Sequence, residues 1–134
     1  MPDSLEVSGV VPATPKQVYD AWLNSKAHGA MTGGGAARAS RVKGGKFTAW
    51  DGYCSGTNLE LEPDKRIVQA WRTTEFAPSD PDSRLEVLLE EAAGGTKVTI
   101  RHTNIPDGQG AAYRQGWRDF YLKPMREYFS ARGT

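Results

Sequence analysis

The chain predicts an α+β fold, a curved antiparallel sheet of about six to seven strands wrapped around a long C-terminal helix, with two short helices after the first strand. Two observations carry this reading. Between residues 36 and 103, short strand-like runs alternate with turns rich in Gly, Pro and Asp. From residue 109 onward, apolar residues recur at helical spacing over roughly 22 positions. A sheet of this kind has one face to cover. The terminal helix, about 33 Å long at 1.5 Å per residue, is the element long enough to cover it.

The elements follow in order. Residues 5–11 alternate apolar and polar, then turn apolar, and read as the first strand. Pro12 ends it. Thr14, Pro15 and Gln17 form a helix start: a capping threonine, a proline suited to the first turn, and a glutamine placed for a capping box. Val18, Ala21 and Trp22 then share one helix face. Asn24-Ser25 interrupts, and Ser25 is expected to cap a second short helix ending near Met31. Thr32 to Gly35 reads as a loop at the rim of a pocket. Strands are expected over 36–42, 46–50, 54–61, 66–73, 83–92 and 96–103, divided by turns at 43–45, 51–52, 62–65 and 93–95. Two prolines make 77–82 a longer loop.

The last helix is expected over about 109–130. Tyr113, Trp117, Phe120, Tyr121, Pro124, Met125 and Tyr128 fall on one stripe at 100° per residue. Pro124 lacks a backbone donor and crowds the carbonyl of Phe120, so a bend is expected there. Nothing in the composition divides the chain, and residues 1–134 read as one domain.

The bulk numbers narrow the function. The 134 residues are 38% hydrophobic and 25% charged, ordinary for a folded domain and unlike a disordered chain. A net charge of +1 gives no polyanion-attracting surface, so nucleic acid is not an expected partner. Cys54 is the single cysteine, which rules out an internal disulfide and suits a reducing, cytoplasmic setting. No leader peptide or membrane span is read from the sequence.

Four stretches carry family resemblance. Gly44-Gly45-Lys46-Phe47-Thr48-Ala49-Trp50-Asp51-Gly52-Tyr53-Cys54-Ser55-Gly56 resembles the central hairpin of the superfamily that holds START lipid-transfer domains and birch-pollen-allergen-like proteins. The stretches 59–63 into 66–72, 95–103 and Gly116-Trp117-Arg118-Asp119-Phe120-Tyr121 are similar to single-domain relatives of the C-terminal domain of the heat-shock-protein-90 ATPase activator. The resemblance covers about residues 5–130. It implies a helix-grip (START-like, SRPBCC) fold with a cavity between sheet and helix. It also implies a chaperone as a conceivable partner, although this sequence has no room for the activator's separate N-terminal domain.

The residues expected to line such a pocket and bind a small hydrophobic molecule are Trp50, Gln69, Trp71, His102, Tyr113, Trp117, Tyr121 and Met125. Aromatic rings with polar tips suit a greasy pocket that still forms hydrogen bonds, and equally suit a plain core. His102 shares parity with Val98 and Ile100, so it points inward. There it is either a satisfied structural histidine or a pocket base, with Glu86 or Asp51 as its conceivable partner. Trp71 and Gln69 share parity with Ile67. Cys54-Ser55 lacks any sign of an activated nucleophile. Two separate histidines and one cysteine build no metal site, and Asp80 and Asp82 lack a calcium-loop pattern. No cofactor, metal or catalytic residue is assigned. Arg38, Arg41, Lys43 and Lys46 read as a solvated strand face. Three functions compete: ligand binding without chemistry, a chaperone-associated role, and a pocket enzyme using His102.

Overall fold

The computed structural model describes residues 3–32 and 36–132, with the side chains of 131 and 132 left aside. Six strands form one antiparallel sheet in the order β1-β6-β5-β4-β3-β2. They are β1 (Asp3–Val11), β2 (Lys46–Ala49), β3 (Cys54–Glu62), β4 (Arg66–Thr73), β5 (Ser83–Ala92) and β6 (Gly95–Ile105). Two short helices, α1 (Pro15–Trp22) and α2 (Ser25–Met31), follow β1. The final helix runs as α3 (Gly110–Trp117), a π turn (Arg118–Leu122) and α4 (Lys123–Arg132). This is the α+β helix-grip arrangement.

One face of the sheet meets the helix. Leu5 and Val7 of β1, Val98, Ile100 and His102 of β6, Leu85, Val87 and Leu89 of β5, and Ile67, Gln69 and Trp71 of β4 are all buried. The alternation along Ser83–Leu89 of β5 is what a sheet with one dry face requires. On the outer face Glu6, Arg101 and Glu86 stand opposite one another across β1, β6 and β5. Arg101 Nε lies 3.0 Å from Glu6, and Arg66 Nε lies 2.7 Å from Glu86.

The start of α1 is as the sequence predicts. Thr14 Oγ1 accepts from the Gln17 amide at 3.1 Å, and the Thr14 amide donates to Gln17 Oε1 at 2.8 Å. Three expectations need correction. Asn24, not Ser25, caps α2, because its longer side chain reaches the Ala27 amide at 2.9 Å. Residues 36–42 are not a strand; only Arg38 bridges to Thr48. The segment is instead an exposed loop tied to β3 by Asn58 Nδ2, which donates to the carbonyls of Ser40 and Val42 at 2.9 and 3.1 Å. The basic run therefore lies largely on a loop, where Arg41 pairs with Asp20 at 2.8 Å. Residues 33–35 of the expected rim loop lie outside the described residues.

The last helix differs in a second way. Trp117, Tyr121 and Met125 are buried as expected, but Phe120 is 55% exposed, and Leu122 and Phe129 are buried in its place. The cause is the π turn. The Lys123 amide donates to the Arg118 carbonyl, five residues back. A wider turn advances the chain by less than 100° per residue, so the stripe shifts phase. It also spares the Phe120 carbonyl the clash that Pro124 imposes on a regular helix. The expected disturbance at Pro124 thus takes the form of an expanded turn just before it.

Candidate functional site

A pocket of about 350 Å3 opens between the β2–β3 hairpin and the C-terminal helix. The β2–β3 turn supplies Trp50 and Tyr53, the sheet Cys54 and Trp71, and the helix Tyr113, Gly116, Trp117, Phe120 and Tyr121. Five of the eight residues singled out by sequence are therefore brought together here. Gln69, His102 and Met125 are buried but do not line the space.

Trp71 is the floor of the aromatic assembly. Its ring centre lies 5.1 Å from Tyr113 and 5.5 Å from Trp117. Trp117 stands 4.6 Å from Tyr121, which in turn lies 5.1 Å from Trp22. These are the edge and tilted geometries that ring quadrupoles favour. At the mouth, Trp50 meets Phe120 edge-on at 5.5 Å. The expected strand over 46–50 stops at Ala49, since Trp50 and Asp51 take left-handed φ values of 53° and 57°. That turn, tied to the loop by Asp51 Oδ1 accepting from the Ala36 amide, aims the Trp50 ring across the opening. A bulky residue at positive φ is unusual and clusters at sites where the surroundings enforce it.

The hydroxyls of the tyrosines and the indole N–H of Trp117 are spent inside the protein. Tyr113 Oη bonds Thr73 at 2.7 Å and Gln109 at 2.6 Å. Tyr121 Oη reaches His28 Nε2 at 2.9 Å, and Trp117 Nε1 donates to His102 Nδ1 at 3.1 Å. Tyr53 Oη donates to Glu75. Burial and that carboxylate both push the Tyr53 phenol up, and burial, with a smaller push from Cys54, raises Tyr121 well beyond the ordinary phenol. The wall a guest meets is mostly ring carbon, with the Cys54 sulfur beside it. Burial lifts that thiol to about 12, so it stays protonated and is no nucleophile at neutral pH.

The two histidines are held neutral behind the pocket. His102 Nδ1 accepts from Trp117, so Nε2 carries the hydrogen and donates to Ser83 Oγ at 2.7 Å. Ser83 passes its own hydrogen to the Trp71 carbonyl at 2.7 Å. Burial depresses His102 to about 3. Neither carboxylate considered from the sequence is its partner: Glu86 points outward to Arg66, and Asp51 holds the Ala36 amide. His28, whose role no sequence pattern revealed, hydrogen-bonds the Trp22 carbonyl at 2.8 Å and the Tyr121 hydroxyl, and burial lowers its pKa.

Gln69 is a strut. It accepts from Trp22 Nε1 at 3.4 Å and donates to Asn58 Oδ1 at 2.9 Å, linking α1 to the 36–45 loop. Tyr53, which the sequence also offers as an inward-facing ring, and Phe120 of the aromatic stripe complete the lining, together with Cys54 and Gly116, which were not singled out for it. Gly116 leaves no mark in any hydrophobic pattern; its placement inside a helix, at a cost of about 0.5–1 kcal/mol relative to alanine, is the one signal it gives.

The family model described as Activator of Hsp90 ATPase homolog 1-like protein matches residues 12–130. The chain belongs to that family. Its similarity to the human protein named Activator of 90 kDa heat shock protein ATPase homolog 1 is 27% identity over 116 residues, covering 87% of this chain and 34% of that one. The chain thus spans about a third of the length of the curated relatives it matches. Among solved structures, an HSP90 activator from Plasmodium falciparum superposes with a TM-score of 0.84 at 21% identity, over 95% of this chain and 96% of that one. The AHSA1-like protein from Aeromonas hydrophila gives 0.74 at 20% identity, over 98% and 94%. At these identities the structural likeness speaks for the helix-grip fold. Among the described residues, no helix is long and apolar enough to cross a membrane.

Proposed function

We propose that this family member binds a small, largely hydrophobic molecule in the pocket between the β2–β3 hairpin and the C-terminal helix, holding it without chemistry of its own. One observation carries the reading. A space of about 350 Å3 is bounded mainly by aromatic rings, and the hydroxyls of Tyr113 and Tyr121 and the indole N–H of Trp117 are already paired within the protein. That volume lies at the lower end of the range for small-molecule sites. Burying carbon against carbon would supply the affinity, at about 25 cal/mol per Å² of apolar surface before the costs of binding. His102 supports no acid–base role in this pocket, since it lies behind Trp71 and Trp117 with both ring nitrogens engaged.

The test uses the tryptophans already in place. Titrating a panel of neutral apolar compounds should give a saturable change in intrinsic fluorescence, because Trp50, Trp71 and Trp117 line the space. If no compound in the panel produces saturation, the ligand-binding reading falls.

A second reading rests on family membership and on the relatives named as heat-shock-protein-90 ATPase activators. It holds that the chain associates with that chaperone. A pull-down with purified chaperone in both nucleotide states should retain the protein; absence of binding in both states removes the reading.

A further inference from the structure

Gly116 sits inside α3, where glycine weakens a helix and neither backbone nor packing calls for it. Its φ is not in the left-handed region. A Cβ built there would meet only Phe120 Cδ2, at 3.9 Å, which is ordinary contact. Gly56 shows the contrast: a Cβ there would lie 1.8 Å from the Ala70 carbonyl oxygen, so the fold itself demands glycine. What the missing side chain at Gly116 leaves open is pocket, since the residue lines it between Tyr113 and Phe120.

We infer that Gly116 is a specificity-determining position, and that the slot it opens takes an uncharged, flat aromatic molecule. The inference rests on the ligand-binding reading above and narrows it. Three features select the class. Among the described residues, no lysine, arginine, histidine or carboxylate lines the space, so an ionic ligand would lose its water without gaining a counter-charge. The hydroxyls of Tyr113 and Tyr121 and the indole N–H of Trp117 are committed elsewhere, so a ligand rich in polar groups finds few partners. The walls are ring faces and edges, which reward another ring by offset or edge-on contact, and a rigid ring has no torsions to freeze.

A matched pair of dyes tests it: N-phenyl-1-naphthylamine, which is neutral, and 8-anilino-1-naphthalenesulfonate, the same ring body with a negative charge. The neutral dye should bind saturably, and the sulfonate at least tenfold more weakly. Dodecanol, neutral but aliphatic, should fail to displace the neutral dye. Gly116→Ala should raise the melting temperature while weakening the neutral dye about threefold, and Gly116→Leu should weaken it at least tenfold. Equal affinity for the two dyes, or displacement by dodecanol, overturns the ligand class and leaves the pocket reading standing. Unchanged dye affinity in both glycine variants overturns the role of Gly116. If neither dye nor dodecanol alters tryptophan fluorescence saturably, the pocket reading fails and this inference with it.

Discussion

His102 shows how a single side chain can be placed correctly by parity and still have its role set by neighbours far along the chain. Alternation with Val98 and Ile100 turns it inward, and it is fully buried. Its partners, Ser83 and Trp117, lie on another strand and on the helix, beyond any local pattern. The arrangement has a pH consequence. The folded protein holds His102 neutral with a pKa near 3, while the unfolded chain takes up a proton at about 6.5. Between those values the unfolded state binds more protons, so stability is complete above about pH 7 and falls as pH drops below 6.5. The loss approaches about 1.4 kcal/mol per pH unit for His102, and His28, lowered for the same reason, acts in the same direction. Urea unfolding at pH 7 and pH 5 should show a drop of about 2 kcal/mol from His102 alone. A His102→Gln variant with an undiminished pH slope would count against this account.

Capping and wide turns are matters of the element. Thr14 and Gln17 close a capping box that the sequence predicts and the structure shows. Thr14→Ala should therefore lower stability by about 1 kcal/mol, read from the urea midpoint with an unchanged slope. A variant as stable as the parent would mean that water replaces the cap at no cost. The buried amides of Asn58 and Gln69 are a harsher case. Asn58→Leu leaves the buried Gln69 amide without its acceptor, and about 1–3 kcal/mol should be lost for that stranded group; the Val42 carbonyl still accepts from the Gly45 amide. The same experiment reports on the loop, because Asn58 Nδ2 ties the carbonyls of Ser40 and Val42 to β3. In the last helix, the stripe of Trp117, Tyr121 and Met125 was legible as a period. Phe120 was not placed correctly, because a five-residue turn changes the period midway.

At the scale of the molecule, four tryptophans report on one connected interior. Trp22 and Trp117 stack at 6.4 Å, Trp117 tilts on Trp71, and Trp50 sits over the mouth. Helix, sheet and pocket should then be lost together on unfolding. Near-ultraviolet and far-ultraviolet circular dichroism should trace the same denaturant transition, as a single cooperative domain requires. Separate transitions would show that the pocket region opens apart from the sheet. A ligand held in the pocket should raise the melting temperature in proportion to the logarithm of its concentration above the dissociation constant.

From the order of residues alone one could read seven strands, six of which form, two short helices, a gripping terminal helix, and the inward faces of β4 and β6. These follow from local chemistry: turn residues, caps and the periods 2 and 3.6 act over a few positions and need no knowledge of the whole. The cavity belongs to another category. Whether facing rings interlock or stand apart depends on how three distant segments meet. Trp50 is swung across the opening by a left-handed turn, Phe120 is moved outward by a π turn, and Gly116 leaves a gap that no apolar pattern records. Empty volume is a property of the assembled walls, and no single stretch of chain carries it.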